Sequence, residues 1–139
     1  MTEPAAADLA AIQQLYGLYG HVMDDRDWER MGDLFTADCV FDATALGVPL
    51  MDTWAAIIES TETNPATPIA HHVTNVFVER VDGDTAEVRA KAIGIYSRGR
   101  AFSGDYRDTL VRTEAGWRIR HRLNRPLVER SSDAGERRG

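Results

Sequence analysis

The chain has 139 residues, enough for a core that buries about 70% of the surface its unfolded form would expose, and its single cysteine, Cys39, excludes an internal disulfide framework. A net charge of −6 with no coherent basic face argues against nucleic acid as a partner. No apolar run is long enough to cross a bilayer, and Met1 to Asp8 lacks the basic and apolar regions of a secretion signal, so a soluble cytoplasmic protein with no membrane partner is expected.

The charge is unevenly spread. Residues 1 to 62 carry 12 acids and 2 bases, a balance of −10, and residues 63 to 139 carry 10 acids and 14 bases, a balance of +4. This pattern suits an acidic helical half packed on a sheet whose outward positions carry arginine.

Leu9, Ile12, Leu15, Tyr16, Tyr19 and Val22 fall at helical spacing, which predicts a helix from Ala5 to about Met23, ended by Asp24 and Asp25. Gly17 and Gly20 weaken it by about 1 kcal/mol each relative to alanine, so tertiary contacts must hold it and something must approach its backbone closely. Asp27 can cap a second, shorter helix with Trp28, Met31, Leu34 and Phe35 as its buried stripe. Cys39 to Asp42 reads as a short strand and Gly47-Val48-Pro49 as loop. Asp52 can then cap a third helix carrying Trp54, Ile57, Ile58 and Thr61 on one face. Thr61 to Pro68, with two prolines and no apolar period, is a connection.

From Ile69 to about Asn124 the period changes from helical to alternating. Turns at Val81-Asp82-Gly83-Asp84, Ser97 to Arg100 and Glu114-Ala115-Gly116 divide this half into four strands, which predicts an antiparallel meander in an α+β fold. One domain is expected over residues 1 to 130, followed by a disordered polar tail from Ser131 to Gly139. Within the meander, Ala86, Val88, Ala90, Ala92 and Gly94 share one face. So small a face either lies very close to a helix or leaves a cavity.

The residues suited to chemistry are the histidines His71 and His72, which open the first long strand and point to opposite faces. Imidazole takes a proton near neutral pH, and a carboxylate on Nδ1 would fix its tautomer and leave Nε2 as base; Asp24 and Asp25 are candidates for that carboxylate. The alternative is a hydrogen-bonded core histidine and two aspartates solvating a helix end. Diverging side chains argue against a metal shared by the two histidines, and no zinc spacing, phosphate loop or nucleophile elbow is present, so neither metal nor cofactor is expected. In the last strand Trp117, Ile119, His121 and Leu123 alternate with Arg118, Arg120 and Arg122. An unbroken strand turns the arginines to solvent, and a bulge would change that.

The helix ending in Asp24, then Asp27-Trp28, Leu34-Phe35-Thr36-Ala37-Asp38, His71-His72-Val73-Thr74-Asn75 and Gly116-Trp117-Arg118-Ile119 with arginines after it, resemble the nuclear transport factor 2-like superfamily. The resemblance covers about residues 8 to 125 and is to the branch of SnoaL-like polyketide cyclases, scytalone dehydratase and hexachlorocyclohexane dehydrochlorinase. It implies a cone-shaped curved antiparallel sheet wrapped around N-terminal helices and enclosing a pocket. It also implies a His-Asp dyad at His71 and Asp24, an asparagine at Asn75 and an arginine that assists a leaving group at Arg122. Departures are equally clear. Met23 stands where scytalone dehydratase has a tyrosine, an arginine-rich turn near Arg98 where it has a second histidine, and Tyr19 and Ile69 where the dehydrochlorinase has lysine and cysteine.

The expectation is therefore a cofactor-independent lyase, isomerase or cyclase that abstracts a proton from a small apolar, polyketide- or steroid-like substrate. His71 is the base and Asp24 its orienter, Tyr19 and Tyr106 are hydrogen-bond donors, and Trp28, Trp54, Phe77 and Phe102 are pocket walls. The alternatives are a non-catalytic binding or dimerisation module, or a carrier that binds without turnover. A homo-oligomer is expected, most simply a two-fold dimer, with a trimer as the other option.

Overall fold

The apolar spacing of the first segment is realised in helix α1 (Ala6–Asp25), which buries Ile12, Leu15, Tyr16, Tyr19, Val22 and Met23; Leu9, counted in the same stripe, is exposed. The computed structural model describes residues 3 to 130, so the expected tail lies outside the described residues. α1 runs through Asp24 and Asp25 and closes at Arg26, a left-handed residue (φ 54°) whose N–H donates to the Val22 carbonyl.

The second helix is shorter than expected. Its stripe is split between a 3-10 turn (Trp28–Arg30), one turn of helix α2 (Met31–Leu34) and strand β1 (Phe35–Asp42), because Phe35 already adopts extended backbone. Asp27 precedes the turn without a side-chain capping bond. Helix α3 (Trp54–Thr63) is capped by Thr53, not Asp52: the Thr53 hydroxyl accepts the Ala56 N–H at 3.1 Å.

Strands β2 (Ala70–Asp82), β3 (Thr85–Ile95), β4 (Ala101–Thr113) and β5 (Gly116–Pro126) form the antiparallel meander. β1 adds to its far edge in parallel with β5, giving a mixed sheet of order β1-β5-β4-β3-β2. The sheet is curved and unclosed, and with the three helices makes the α+β cone. The start of α1 is tied to the sheet by Asp8, which accepts two bonds from Arg112 (2.7 and 3.1 Å) and one from the Trp117 indole (3.1 Å).

Three bulges decide which side chains reach the concave side. In β2, Thr74 to Phe77 spans three residues against the two from Lys91 to Arg89, and Asn75 takes up the extra residue in left-handed backbone (φ 55°). Asparagine tolerates that conformation where a β-branched residue would not. A second irregularity lies at Glu79, between Val78 and Arg80. In β5, Ile119 pairs with Leu110 and His121 with Thr109, leaving Arg120 as the extra residue. His121 is thereby exposed, while Trp117, Ile119 and Arg122 are all buried.

The small face of β3 does both things expected of it. Ala86, Val88 and Ala90 join the core with α1, while Ala92 and Gly94 line a cavity.

Candidate active site

The cavity lies between the end of α1, α3 with the loop that follows it, and the ends of β2, β3, β4 and β5; its volume is about 280 Å³. That is room for about nine waters, or a small organic molecule. Its walls are mainly apolar, from Met23, Phe41, Met51, Ile57 and Phe102 among others, with polar groups from His71, Tyr19, Tyr106, Tyr96 and Asn124. Among the described residues that line it there is no carboxylate, lysine or arginine.

His71 is the one imidazole in the lining, and its position follows from a close approach of helix to strand. A Cβ on Gly20 would lie 2.8 Å from the His71 carbonyl oxygen, so glycine is what lets α1 come so near β2. Gly17, by contrast, has open space around it, and its place in the helix has no packing explanation. Asp24 lies one turn beyond Gly20 on the same helix face. From there it accepts the His71 backbone N–H with both oxygens (3.0 Å each) and meets Nδ1 at 2.6 Å. A carboxylate in the last turn of a helix opposes the macrodipole, and here the donors of β2 compensate it. With Nδ1 engaged, Nε2 is the ring nitrogen left for the cavity. The side chains of His71 and Asp24 are 13% and 24% exposed, so the pair is sheltered but not sealed.

Behind the wall formed by Tyr19 and Tyr106, next to His71, is a buried ion pair. Arg122 and Asp108 are both fully buried, joined by bonds from Nε to both carboxylate oxygens (3.0 and 3.2 Å) and from Nη2 to Oδ2 (2.7 Å). Tyr16 donates to the same carboxylate. The guanidinium carbon stands 3.8 Å from the ring centre of Tyr106 and 4.3 Å from that of Tyr19, so the cation is faced by the two tyrosines that line the cavity. Burial opposes the Arg122 charge, but attraction to Asp108 outweighs it and holds the guanidinium well above its ordinary pKa. Burial first, then the neighbouring Tyr19, pushes the Tyr106 phenol well above the usual tyrosine range. Tyr106 is therefore an O–H donor at every working pH. Cys39 is fully buried, and burial followed by the nearby Asp38 charge pushes its thiol up to about 11, which leaves it unreactive at neutral pH.

Of the residues singled out from the sequence, the structure brings His71, Tyr19, Tyr106 and Phe102 to the cavity, with Asp24 behind His71. Arg122 lies behind the wall, held by Asp108 and covered by the tyrosines, instead of lining the cavity. Four others do not line it. The Trp28 indole donates to Glu62 at 2.7 Å, and that of Trp54 to the Thr36 carbonyl at 2.9 Å while its ring packs on Gly32. Asn75 is spent on the bulge. Phe77, which simple alternation puts on the His71 face, is turned outward by that bulge and is 62% exposed. Sequence reasoning missed Met23, Phe41, Met51, Tyr96 and Asn124 as wall residues and Asp108 as the partner of Arg122. Met23 was within reach of it, being four residues from Tyr19 on one helical stripe; Asn124 carries no signal because the bulge at Arg120 resets the alternation.

Comparison with known proteins agrees with this architecture. A family model described as the SnoaL-like domain matches residues 4–123. The uncharacterized protein Rv2910c of Mycobacterium tuberculosis is 32% identical over 132 residues, with 84% of each chain covered. Among solved structures, a proposed aromatic ring hydroxylase from Novosphingobium aromaticivorans is 33% identical with a TM-score of 0.76, covering 93% of this chain and 95% of its own. A proposed scytalone dehydratase from the same organism is 25% identical with a TM-score of 0.69, covering 88% and 85%. A nuclear transport factor 2-like protein with a cystatin-like fold, also from that organism, is 27% identical with a TM-score of 0.75, covering 94% and 88%. With the family model spanning most of its length and a relative above 30% identity, the chain belongs to the SnoaL-like domain family.

Proposed function

We propose that the protein is a cofactor-independent lyase, isomerase or cyclase that removes a proton from carbon next to a carbonyl group in a small, largely apolar substrate. The observation that carries this reading is the His71 ring, lining the cavity with its Nδ1 held 2.6 Å from the Asp24 carboxylate. In that arrangement Nδ1–H is donated to Asp24, Nε2 accepts the proton, and Asp24 stabilises the imidazolium that results. Electrons from the broken C–H bond move onto the substrate oxygen, where the O–H groups of Tyr106 and Tyr19 are the donors at hand. The imidazolium then returns its proton to a different carbon, to a leaving group, or, where the enolate carbon closes a ring on a second carbonyl, to the oxygen of that carbonyl. No charged side chain lies among the described lining residues, which favours an uncharged body for the part of the substrate that enters.

Exchange of carbon-bound hydrogen tests this without knowledge of the natural substrate. A panel of small cyclic and aryl ketones is incubated in D₂O with the protein and followed by NMR. The wild type is expected to label at least one of them at the α-carbon, and folded His71→Gln to do so about 10²- to 10⁴-fold more slowly. Equal exchange by the two proteins would remove His71 as the base. Binding of panel members with no exchange in any would favour the non-catalytic binding module.

A further inference from the structure

The cavity mouth carries a cation that the proposed chemistry does not use. Arg100 lies beside Tyr96, Phe102, Pro65 and Ala66 in a surface groove, and Tyr96, Phe102 and Ala66 also line the cavity, so the two spaces share a wall. Arg100 is set in place by its surroundings. The Tyr96 N–H donates to the Arg100 carbonyl at 2.9 Å, closing the turn between β3 and β4. The guanidinium carbon lies 5.4 Å from the centre of the Tyr96 ring, and that ring is fixed by its O–H, which donates to the Ala66 carbonyl at 2.9 Å. Most arginines of the sheet, including Arg89, Arg107, Arg112, Arg118, Arg120, Arg122 and Arg125, have a carboxylate within ion-pair distance; among the described residues Arg100 has none. No carboxylate lines the groove either. Arg80 and Arg98 are also outside ion-pair distance of any carboxylate among the described residues, but of the three only Arg100 lines the groove that shares a wall with the cavity.

From this we infer that the substrate is amphipathic: its apolar, reacting part enters the cavity, and an anionic group, carboxylate or phosphate, stays outside on Arg100. The spacing suits such a molecule. His71 pairs with Gly94 and Gly94 with Phe102, so His71 and Phe102 are two strand spacings apart, and Arg100 lies two residues further along. The backbones of His71 and Arg100 are thus on the order of 12 Å apart. A guanidinium presents paired donors that match either anion. Its stacking on Tyr96 restricts the side chain, so less freedom is lost on binding. The inference rests on the cavity being the substrate site, but not on the dyad being catalytic.

The test is a calorimetric titration of the full chain with three probes of one apolar body: 4-phenylbutanoate, its uncharged amide, and 3-phenylpropyl phosphate. At low salt the wild type is expected to bind at least one anion about fivefold more tightly than the amide, the scale of a partly exposed charge pair. Which anion leads identifies the group. Arg100→Gln should erase the preference, Arg100→Lys should restore part of it, and His71→Gln should keep the full ratio whatever it does to hydrogen exchange. An amide bound as tightly as both anions, a preference that persists in Arg100→Gln, or no binding of any probe at millimolar concentration would overturn the assignment.

Discussion

Replacing Asp108 by asparagine should be among the most damaging single changes in this protein, and more damaging than replacing Arg122 by methionine. In the wild type three bonds join the two side chains, neither of which reaches solvent. Asp108→Asn leaves a guanidinium that cannot shed its charge, and breaking a buried pair in this way costs about 3–5 kcal/mol. The faces of Tyr106 and Tyr19, 3.8 and 4.3 Å from the guanidinium carbon, still stabilise the cation, which places the expectation near the lower end, about 3 kcal/mol. Arg122→Met strands a carboxylate instead. A carboxylate can take up a proton and retains the Tyr16 hydroxyl as donor, so the cost should be smaller and should shrink as the pH is lowered. The double variant Asp108→Leu/Arg122→Met should recover most of the loss. Urea unfolding followed by tryptophan fluorescence at pH 7 and pH 5 yields the stabilities of the wild type and the three variants. A Asp108→Asn variant within about 1 kcal/mol of wild type, or one more stable than Arg122→Met at pH 7, would refute the argument.

Gly20→Ala sets a gain of about 1 kcal/mol in helix propensity against a methyl 2.8 Å from the His71 carbonyl. Overpacking should win by about 1–3 kcal/mol, and hydrogen exchange should slow as Asp24 is drawn away from His71; an alanine variant that is both more stable and fully active would sink the close-approach argument. The bonds from Arg112 and then Trp117 hold the Asp8 carboxyl below its ordinary range. Its contribution to stability is therefore complete above the unfolded-state pKa near 4 and is lost as pH falls through the lower folded value. Asp8→Asn should lower the urea midpoint at pH 7 and narrow the gap to wild type at pH 3; an equal gap at both pH values would count against that linkage. Phe77 presents its ring on the outer face of the sheet, where we expect a second copy to cover it. Light scattering behind size exclusion should then show a dimer for the wild type and a smaller species for Phe77→Glu, and an unchanged mass in the variant would rule out that face.

The features legible in the sequence are those with a regular period. All of the α1 stripe but Leu9, and the small face of β3, follow from spacing, and the hairpin turn at Gly83 from its Asp-Gly pair. Misassignments cluster at the bulges. Phe77 and Arg122 changed faces because Asn75 and Arg120 each insert one residue, and a period-2 argument has no way to register an insertion until the pairing is known. The resemblance placed Arg122 inward where alternation did not, since a family motif carries its bulge along with it. The indoles of Trp28 and Trp54 went astray for another reason: their size suggested walls, whereas their N–H groups were claimed by Glu62 and by the Thr36 carbonyl, partners distant in sequence. The parallel pairing of β1 with β5 is likewise a long-range contact that no local pattern announces.

Asp24 holds both the backbone N–H and the ring of the same residue, so the imidazole cannot swing without giving up its bond to a carboxylate that the strand itself keeps in place. A ring tethered in this way has no route to reach around its substrate. In the proposed chemistry a proton lifted from one face of the substrate is given back on that same face, so an isomerase of this design would run a suprafacial transfer.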